Sequence, residues 1–202
     1  MTKIKLCGLS RSCEIEQANR LDVDYIGFVF APKSKRFVSA KRAEELKFEL
    51  KPTIKAVGVF VNEEPKIIAD LLQNGIIDIA QLHGTEDEAY ISALRSLTQK
   101  PLIKAFRIDS AEDFEKACQS SADYILLDSG SGGTGTVFDW SLISETNKPC
   151  FMAGGLNFEN VKKAVSNLRP FAVDVSSGIE TDGIKDINKM EKFVCAVRSA
   201  DV

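Results

Sequence analysis

At 202 residues and 44% hydrophobic content the chain can bury one sizeable core, and two would be cramped, so a single domain over 1–202 is expected. Its 26 basic and 29 acidic residues are spread along the whole length, and the formal net charge of −3 offers no long-range attraction for nucleic acid or an anionic membrane. MTKIKLCGLS has no signal-peptide apolar region, and no apolar run approaches the ~18 residues that span a bilayer; the five cysteines include no CxxC pair, which argues against a disulfide framework and a zinc site. A cytoplasmic protein without a structural metal is the expectation.

Along the chain, short strand-like runs alternate with longer amphipathic stretches. Strands are predicted at 3–7, 25–30, 55–61, 79–83, 102–107, 124–128, 150–154 and 172–176. Helices are predicted at 11–21, 39–50, 64–74, 86–98, 111–120, 157–167 and 186–199, with Ser10, Ser39, Asn62, Thr85, Ser110 and Asn157 as candidate caps. The pattern at 139–146 is a less regular helix. Eight strands with helical crossovers fit an α/β fold, a small single-domain (β/α)8 TIM barrel with short loops, better than an open doubly wound sheet. No GxGxxG follows the first strand, as a dinucleotide site would require.

Successive side chains of a barrel strand point alternately to the helix layer and to the interior, and polarity sets the register. In the first strand Ile4 and Leu6 suit the helix side, which leaves Lys5 and Cys7 inward. In the fourth, Ala80 and Leu82 go outward and Gln81 and His83 inward; in the sixth, Ile125 and Leu127 go outward and Asp128 inward. In the eighth, Val173 and Val175 go outward and Asp174 and Ser176 inward. A slip of one residue in any of these strands would bury its apolar pair in the wrong layer. Four strands therefore converge polar groups on the barrel's carboxyl end, where such folds place their sites. A lone buried cysteine or histidine is commonly core material; buried carboxylates such as Asp128 and Asp174 need a partner or a task.

Three late strand ends carry glycine: GSGGTGT at 130–136, AGGL at 153–156 and SSGIE at 176–180. Glycine lets backbone N–H groups approach an anion, and loops after the last two strands of a barrel commonly hold phosphate, so a phosphate monoester is expected there. Gly133 belongs to the first of these loops. No GxxxxGK[ST] occurs, which disfavours nucleotide hydrolysis. The loop after the second strand, FAPKSKRFVS, carries Arg36, whose planar fork matches a carboxylate.

Together and in order, KLCGLSR, GFVFAPKSKRFVS, VGVFVN, QLHGTE, YILLDS, GGTGTVFDW, MAGGLNFENV and VDVSSGIETDGIKD resemble the phosphoribosylanthranilate isomerases, barrel enzymes of tryptophan biosynthesis, over the full chain. Two departures are small: Thr136 and Val137 stand where a lysine and a threonine are frequent, and MAGG replaces LAGG. The resemblance implies a cofactor-free Amadori rearrangement of an aminoaldose phosphate to a ketose, with Cys7 as general base and Asp128 as general acid. It places Arg36 at the anthranilate carboxylate, Asp174 at the same aromatic end, and Gly154, Gly155, Ser177 and Gly178 at the phosphate. Gln81 and His83 join the substrate-binding set, and Gly133 the phosphate set. Such a base must lose its proton, and Lys5 and Arg36 are the candidate cations beside Cys7, with a structural layer residue the favoured reading of Lys5.

The expected partner is a small phosphosugar, with no nucleic acid or membrane, in a monomer or homodimer. The alternatives are a non-catalytic phosphosugar-binding barrel or another phosphosugar barrel enzyme, such as an indole-glycerol-phosphate synthase or a ribulose-phosphate 3-epimerase. The latter would want metal-ligating histidines, and His83 is the only histidine in the chain.

Overall fold

A computed structural model of the protein describes residues 1–129, 143, 146 and 148–201. Eight parallel strands, β1 (Lys3–Cys7), β2 (Tyr25–Val29), β3 (Lys55–Phe60), β4 (Ile79–Leu82), β5 (Leu102–Ile108), β6 (Tyr124–Ser129), β7 (Cys150–Met152) and β8 (Ala172–Val175), close into a barrel in chain order. The ring shuts where β8 pairs with β1, in a register that sets Lys5 beside Asp174. Helices α1 (Ser12–Leu21), α2 (Ala40–Phe48), α3 (Pro65–Gln73), α4 (Glu88–Leu97), α5 (Ala111–Gln119) and α6 (Val161–Leu168) are crossovers of the kind parallel neighbours demand, and α7 (Ile187–Arg198) follows the last barrel strand. The fold is the expected (β/α)8 barrel. The predicted helix at 139–146 lies almost wholly outside the described residues, and so does the GSGGTGT loop with Gly133.

The predicted alternation holds in all four strands read for it. Ile4, Leu6, Ala80, Leu82, Ile125, Leu127, Val173 and Val175 form one buried layer with Ile15, Leu46, Ile68, Leu94, Phe114 and Phe193 of the helices. The inward rows change character along the barrel axis. At the amino end Tyr25, Val57, Ile79, Ile103, Leu126, Phe151 and Ala172 pack together, and Phe151 lies at the centre of an aromatic plug, its ring centroid 5.4 Å from Tyr25, 5.7 Å from Tyr124 and 5.6 Å from Phe171. Toward the carboxyl end the same rows turn polar: Ile79 gives way to Gln81 and His83, Leu126 to Asp128, Ala172 to Asp174 and Ser176. One end of the interior is sealed and the other is left for chemistry.

Local chemistry departs from expectation at helix starts. Ser39 and Ser110 cap α2 and α5 as predicted, accepting from the N–H groups of Arg42 and Asp113. The other four predicted caps sit too early. The helices begin instead after Arg11, Glu64, Asp87 and Asn160. Asn62 is drawn into a left-handed turn (φ 52°) where its side chain accepts from the Thr85 N–H, and Asn157 accepts from the N–H groups of Glu159 and Asn160 ahead of α6. A side-chain acceptor in a loop has several donors within reach, and tertiary contact decides which it takes.

An unforeseen element follows β8. A single 3-10 turn, Ser177–Ile179, leads into a two-stranded antiparallel hairpin, β9 (Glu180–Thr181) and β10 (Ile184–Lys185). Its two-residue turn is Asp182-Gly183, both with positive φ (53° and 79°), the backbone that an Asp-Gly pair supplies for the tightest hairpins. The register sets Glu180 directly opposite Lys185. Among the described residues no helix is long and apolar enough to cross a membrane.

Phe151 is fully buried and three aromatic rings rest on it, so Phe151→Ala opens a cavity the plug cannot collapse into. Urea denaturation should show a loss of about 3–5 kcal/mol, with little change in substrate KM because the plug lies at the closed end.

Candidate active site

The polar ends of the inward rows line one cavity of about 460 Å³ at the carboxyl end, bordered by Cys7, Arg36, Gln81, His83, Asp128, Gly154, Gly155, Asp174, Ser176 and Ser177. Every predicted site residue among the described residues is on its wall except Gly178. That glycine is instead the joint between two loops: a Cβ there would stand 1.9 Å from the Leu156 carbonyl oxygen, so only glycine lets the loop after β8 lie against the loop after β7. Gly154 and Gly155 adopt positive φ (84° and 62°), which turns the β7 loop back over the cavity. A second depression, about 590 Å³, lies at the opposite end beside Thr2, Lys3 and Phe171. There Thr2 ties the chain ends together, donating from both N and Oγ1 to Asp201, the one carboxylate on that wall among the described residues.

Cys7 sits at the end of β1 with Lys5 one inward step below. Lys5 is wholly buried and donates to Asp174 Oδ2 at 2.7 Å across the seam. Burial works against the Lys5 ammonium, but Asp174 and Cys7 outweigh it and hold its pKa above the ordinary lysine value. Burial pushes the Cys7 thiol up, as does Asp174; Lys5 and Lys185 pull it down without reversing the shift. The cations favouring the thiolate are thus Lys5 and Arg36, the two candidates read from the sequence, and Lys185, which sequence reasoning missed. Gly27 makes the room: a Cβ there would fall 2.7 Å from Cys7 Sγ. A glycine inside the otherwise apolar YIGFV was a legible sign of such close approach.

On the far side of the mouth, His83 Nε2 lies 3.4 Å from Asp128 Oδ2, and His83 Nδ1 lies 2.8 Å from the Gln81 amide nitrogen. With Gln81 donating, Nδ1 accepts and the ring proton is on Nε2, facing the carboxylate. The loop carrying His83 is anchored by a buried pair on the helix side: Lys104 donates to Glu86 Oε2 at 2.9 Å and to the Gly84 carbonyl at 2.8 Å, while Glu86 accepts from the N–H groups of Asn62 and Gly84. Among the described residues, two buried side-chain acceptors lack a partner, Gln81 Oε1 and Asp174 Oδ1, and both residues line the cavity. Buried acceptors are rarely left unpaired, so the cavity is built to receive donors.

Arg36 reaches the mouth across β1. Its stem lies over Gly8 (φ 78°), where a Cβ would meet Arg36 Cδ at 2.5 Å, and its guanidinium pairs with Glu180 through Nε (2.6 Å) and Nη2 (2.7 Å). Glu180 also accepts from Lys185 Nζ at 2.6 Å, and Lys185 donates to the Ser176 carbonyl at 2.9 Å. Neither Glu180 nor Lys185 was singled out from the sequence. Among the described residues no cluster of His, Cys, Asp and Glu could hold a metal ion.

Gly27→Ala should displace the thiol and lower kcat while the circular dichroism spectrum stays native. In the unsubstituted protein, alkylation of Cys7, followed on the peptide that carries it, should be slow at neutral pH and rise only above the ordinary thiol range, because the folded thiol is shifted upward.

Comparison with known proteins places this geometry in a family. The family model described as N-(5'phosphoribosyl)anthranilate (PRA) isomerase matches residues 4–196. The N-(5'-phosphoribosyl)anthranilate isomerase of Clostridium acetobutylicum is 45% identical over 98% of each chain, and that of Endomicrobium trichonymphae is 43% identical over 98% of this chain and all (100%) of its own. The crystal structure of phosphoribosyl anthranilate isomerase from Thermotoga maritima superposes with a TM-score of 0.90 at 36% identity, covering 98% of this chain and 100% of that one. A phosphoribosyl anthranilate isomerase in complex with reduced 1-(o-carboxyphenylamino)-1-deoxyribulose 5-phosphate superposes at 0.83 with 34% identity over the same shares. By sequence and by fold, the chain belongs to the phosphoribosylanthranilate isomerase family.

Proposed function

We propose that this cavity isomerises N-(5'-phosphoribosyl)anthranilate to 1-(2-carboxyphenylamino)-1-deoxyribulose 5-phosphate, the aldose-to-ketose step of tryptophan biosynthesis, with Cys7 as base and Asp128 as acid. The observation that carries the reading is the pairing of these two groups with the orphaned acceptors. Cys7 on β1 and Asp128 on β6 border the same cavity, and Gln81 and Asp174, each with a buried oxygen that lacks a donor, line it with them. The substrate offers such donors in its amine N–H and ribose hydroxyls.

Asp128 gives a proton to the ring oxygen as the amine lone pair expels it, which opens the ribose to an iminium. Cys7 then removes the proton from C2', and the electrons of that bond close a C1'–C2' double bond and quench the iminium. Tautomerisation of the resulting enolamine moves the hydroxyl proton of C2' to C1' and leaves the ketone. One carbon is oxidised and its neighbour reduced, so the chemistry balances without a cofactor. His83, with its Nε2 toward Asp128, holds the acid in place. Gly154, Gly155, Ser177 and Gly178 shape the phosphate end, Gly133 being the contribution proposed from outside the described residues, and Arg36 takes the anthranilate carboxylate. The proposed setting is the cytoplasm, as a monomer or a homodimer; one related Thermotoga maritima structure is described as monomers generated from a dimeric isomerase.

The aminoaldose forms on mixing anthranilate with ribose 5-phosphate, and its turnover can be followed by loss of fluorescence and appearance of the ketose. Folded protein should turn it over; absence of turnover would leave only a phosphosugar-binding barrel. Cys7→Ala and Asp128→Asn should each lower kcat by on the order of 10²–10⁴, and wild-type rates in either would remove that residue from its role. Arg36→Met should mainly raise KM.

A further inference from the structure

We infer that Glu180, carried to the barrel mouth by the β9–β10 hairpin, is a positioning residue that selects for the substrate's aromatic carboxylate by fixing which side of Arg36 faces the cavity. The inference rests on the proposed role of Arg36 as carboxylate ligand. Glu180 occupies the Nε and Nη2 edge of that guanidinium at 2.6 and 2.7 Å, a two-point contact that fixes the plane as well as the position of the group. Nη1 lies outside this pair, so an incoming carboxylate meets the end of the fork and not its side. Arg36 is otherwise a long side chain with many rotamers, its stem lying over Gly8.

The hairpin is built to deliver this carboxylate. Its Asp-Gly turn sets Glu180 and Lys185 as cross-strand partners, and Lys185 binds Glu180 Oε1 at 2.6 Å while reaching the Ser176 carbonyl on the strand behind. The backbone is tied down as well: Arg11 donates from Nη2 to the Lys185 carbonyl, and Lys189 donates from Nζ to the Glu180 carbonyl. A carboxylate facing two cations remains charged. Burial opposes its ionisation, but hydrogen bonds from Arg36 and Lys185 prevail and hold it below the usual glutamate range. A glutamate held this firmly, in contact with the ligand-binding arginine and lining no part of the cavity itself, acts on the substrate only through that arginine.

The test compares two substrates. One is the natural aminoaldose; the other, made from aniline and ribose 5-phosphate, lacks the carboxylate and keeps the sugar phosphate and the reacting carbons. Glu180→Gln should raise KM about tenfold or more for the first substrate, with a smaller change in kcat, and change the KM of the second far less. Glu180→Asp, which keeps the charge, should recover part of the loss. Should the single variant fail to fold because Lys185 is stranded, the Glu180→Gln, Lys185→Met double variant is measured in the same way. An equal penalty on both substrates, or no penalty on either, overturns the inference. Arg36→Met separates this from the reading beneath it: if its penalty is confined to the carboxylate-bearing substrate while that of Glu180→Gln is not, Arg36 keeps its role and Glu180 loses the one proposed. An Arg36→Met penalty shared by both substrates removes the carboxylate role of Arg36 itself.

Discussion

The buried ion pair between Lys5 and Asp174 is the constraint on which the site depends. An ammonium and a carboxylate taken out of water are costly unless each has the other in good geometry, and here they meet at 2.7 Å on the two strands that close the barrel. The pair is satisfied only when β8 lies beside β1 in its observed register, because a slip of one residue in either strand would turn its own member into the helix layer and leave the other buried alone. The charge balance of the interior therefore reinforces closure at the one seam where strands far apart in the chain must find each other. The same two residues prepare the chemistry: Lys5 stands under the Cys7 thiol, and Asp174, which lines the cavity, keeps Oδ1 without a donor.

Around this pair the mouth is secured by a repeated device. A glutamate and a lysine, both nearly out of solvent, anchor a loop that carries a site group: Glu86 with Lys104 for the loop of His83, and Glu180 with Lys185 for the hairpin beside Arg36. In each case burial works against the carboxylate, and the lysine together with other donors overcomes it, so both glutamates titrate below their ordinary range. For a carboxyl group with a depressed folded pKa, the stabilisation is in place above the unfolded glutamate value and fades as pH falls through the folded one. The loops of the active end are thus tied for work near neutrality and are released from the acid side. The interior of the closed end is held instead by the aromatic plug around Phe151, which carries no charge.

Much of this was readable in the chain. Alternation with period two placed Ile4 and Leu6 against the helices and Cys7 inward, and the same logic in three other strands gathered Gln81, His83, Asp128 and Asp174 at one end. That reading succeeds because the choice of face is a local property, set by which side chains avoid water. It failed where a residue's partner comes from a distant part of the chain. Asn62 and Thr85 looked like caps and instead bond to each other across two loops. Arg36 looked like a cation for Cys7 or a ligand for substrate, and nothing near it in sequence announces Glu180, 144 positions away. Gly178 was read for phosphate alone, and its second task, the close approach of the loop after β8 to the Leu156 carbonyl, is set by a residue 22 positions away that the local motif does not announce.

The sequence by itself determined the class of fold, the inward set and the order of the motifs, since hydrophobic period and turn chemistry act over a few residues. Only the tertiary structure decided the electrostatics of the site. Whether Cys7 is raised or lowered, which cation stands beside it, and which edge of Arg36 is free all depend on distances between strands and loops that meet after the barrel has closed. Charge interactions in a buried mouth are strong because little water screens them, so a side chain's task there is set by its neighbours in space, and those are absent from any local stretch of the chain.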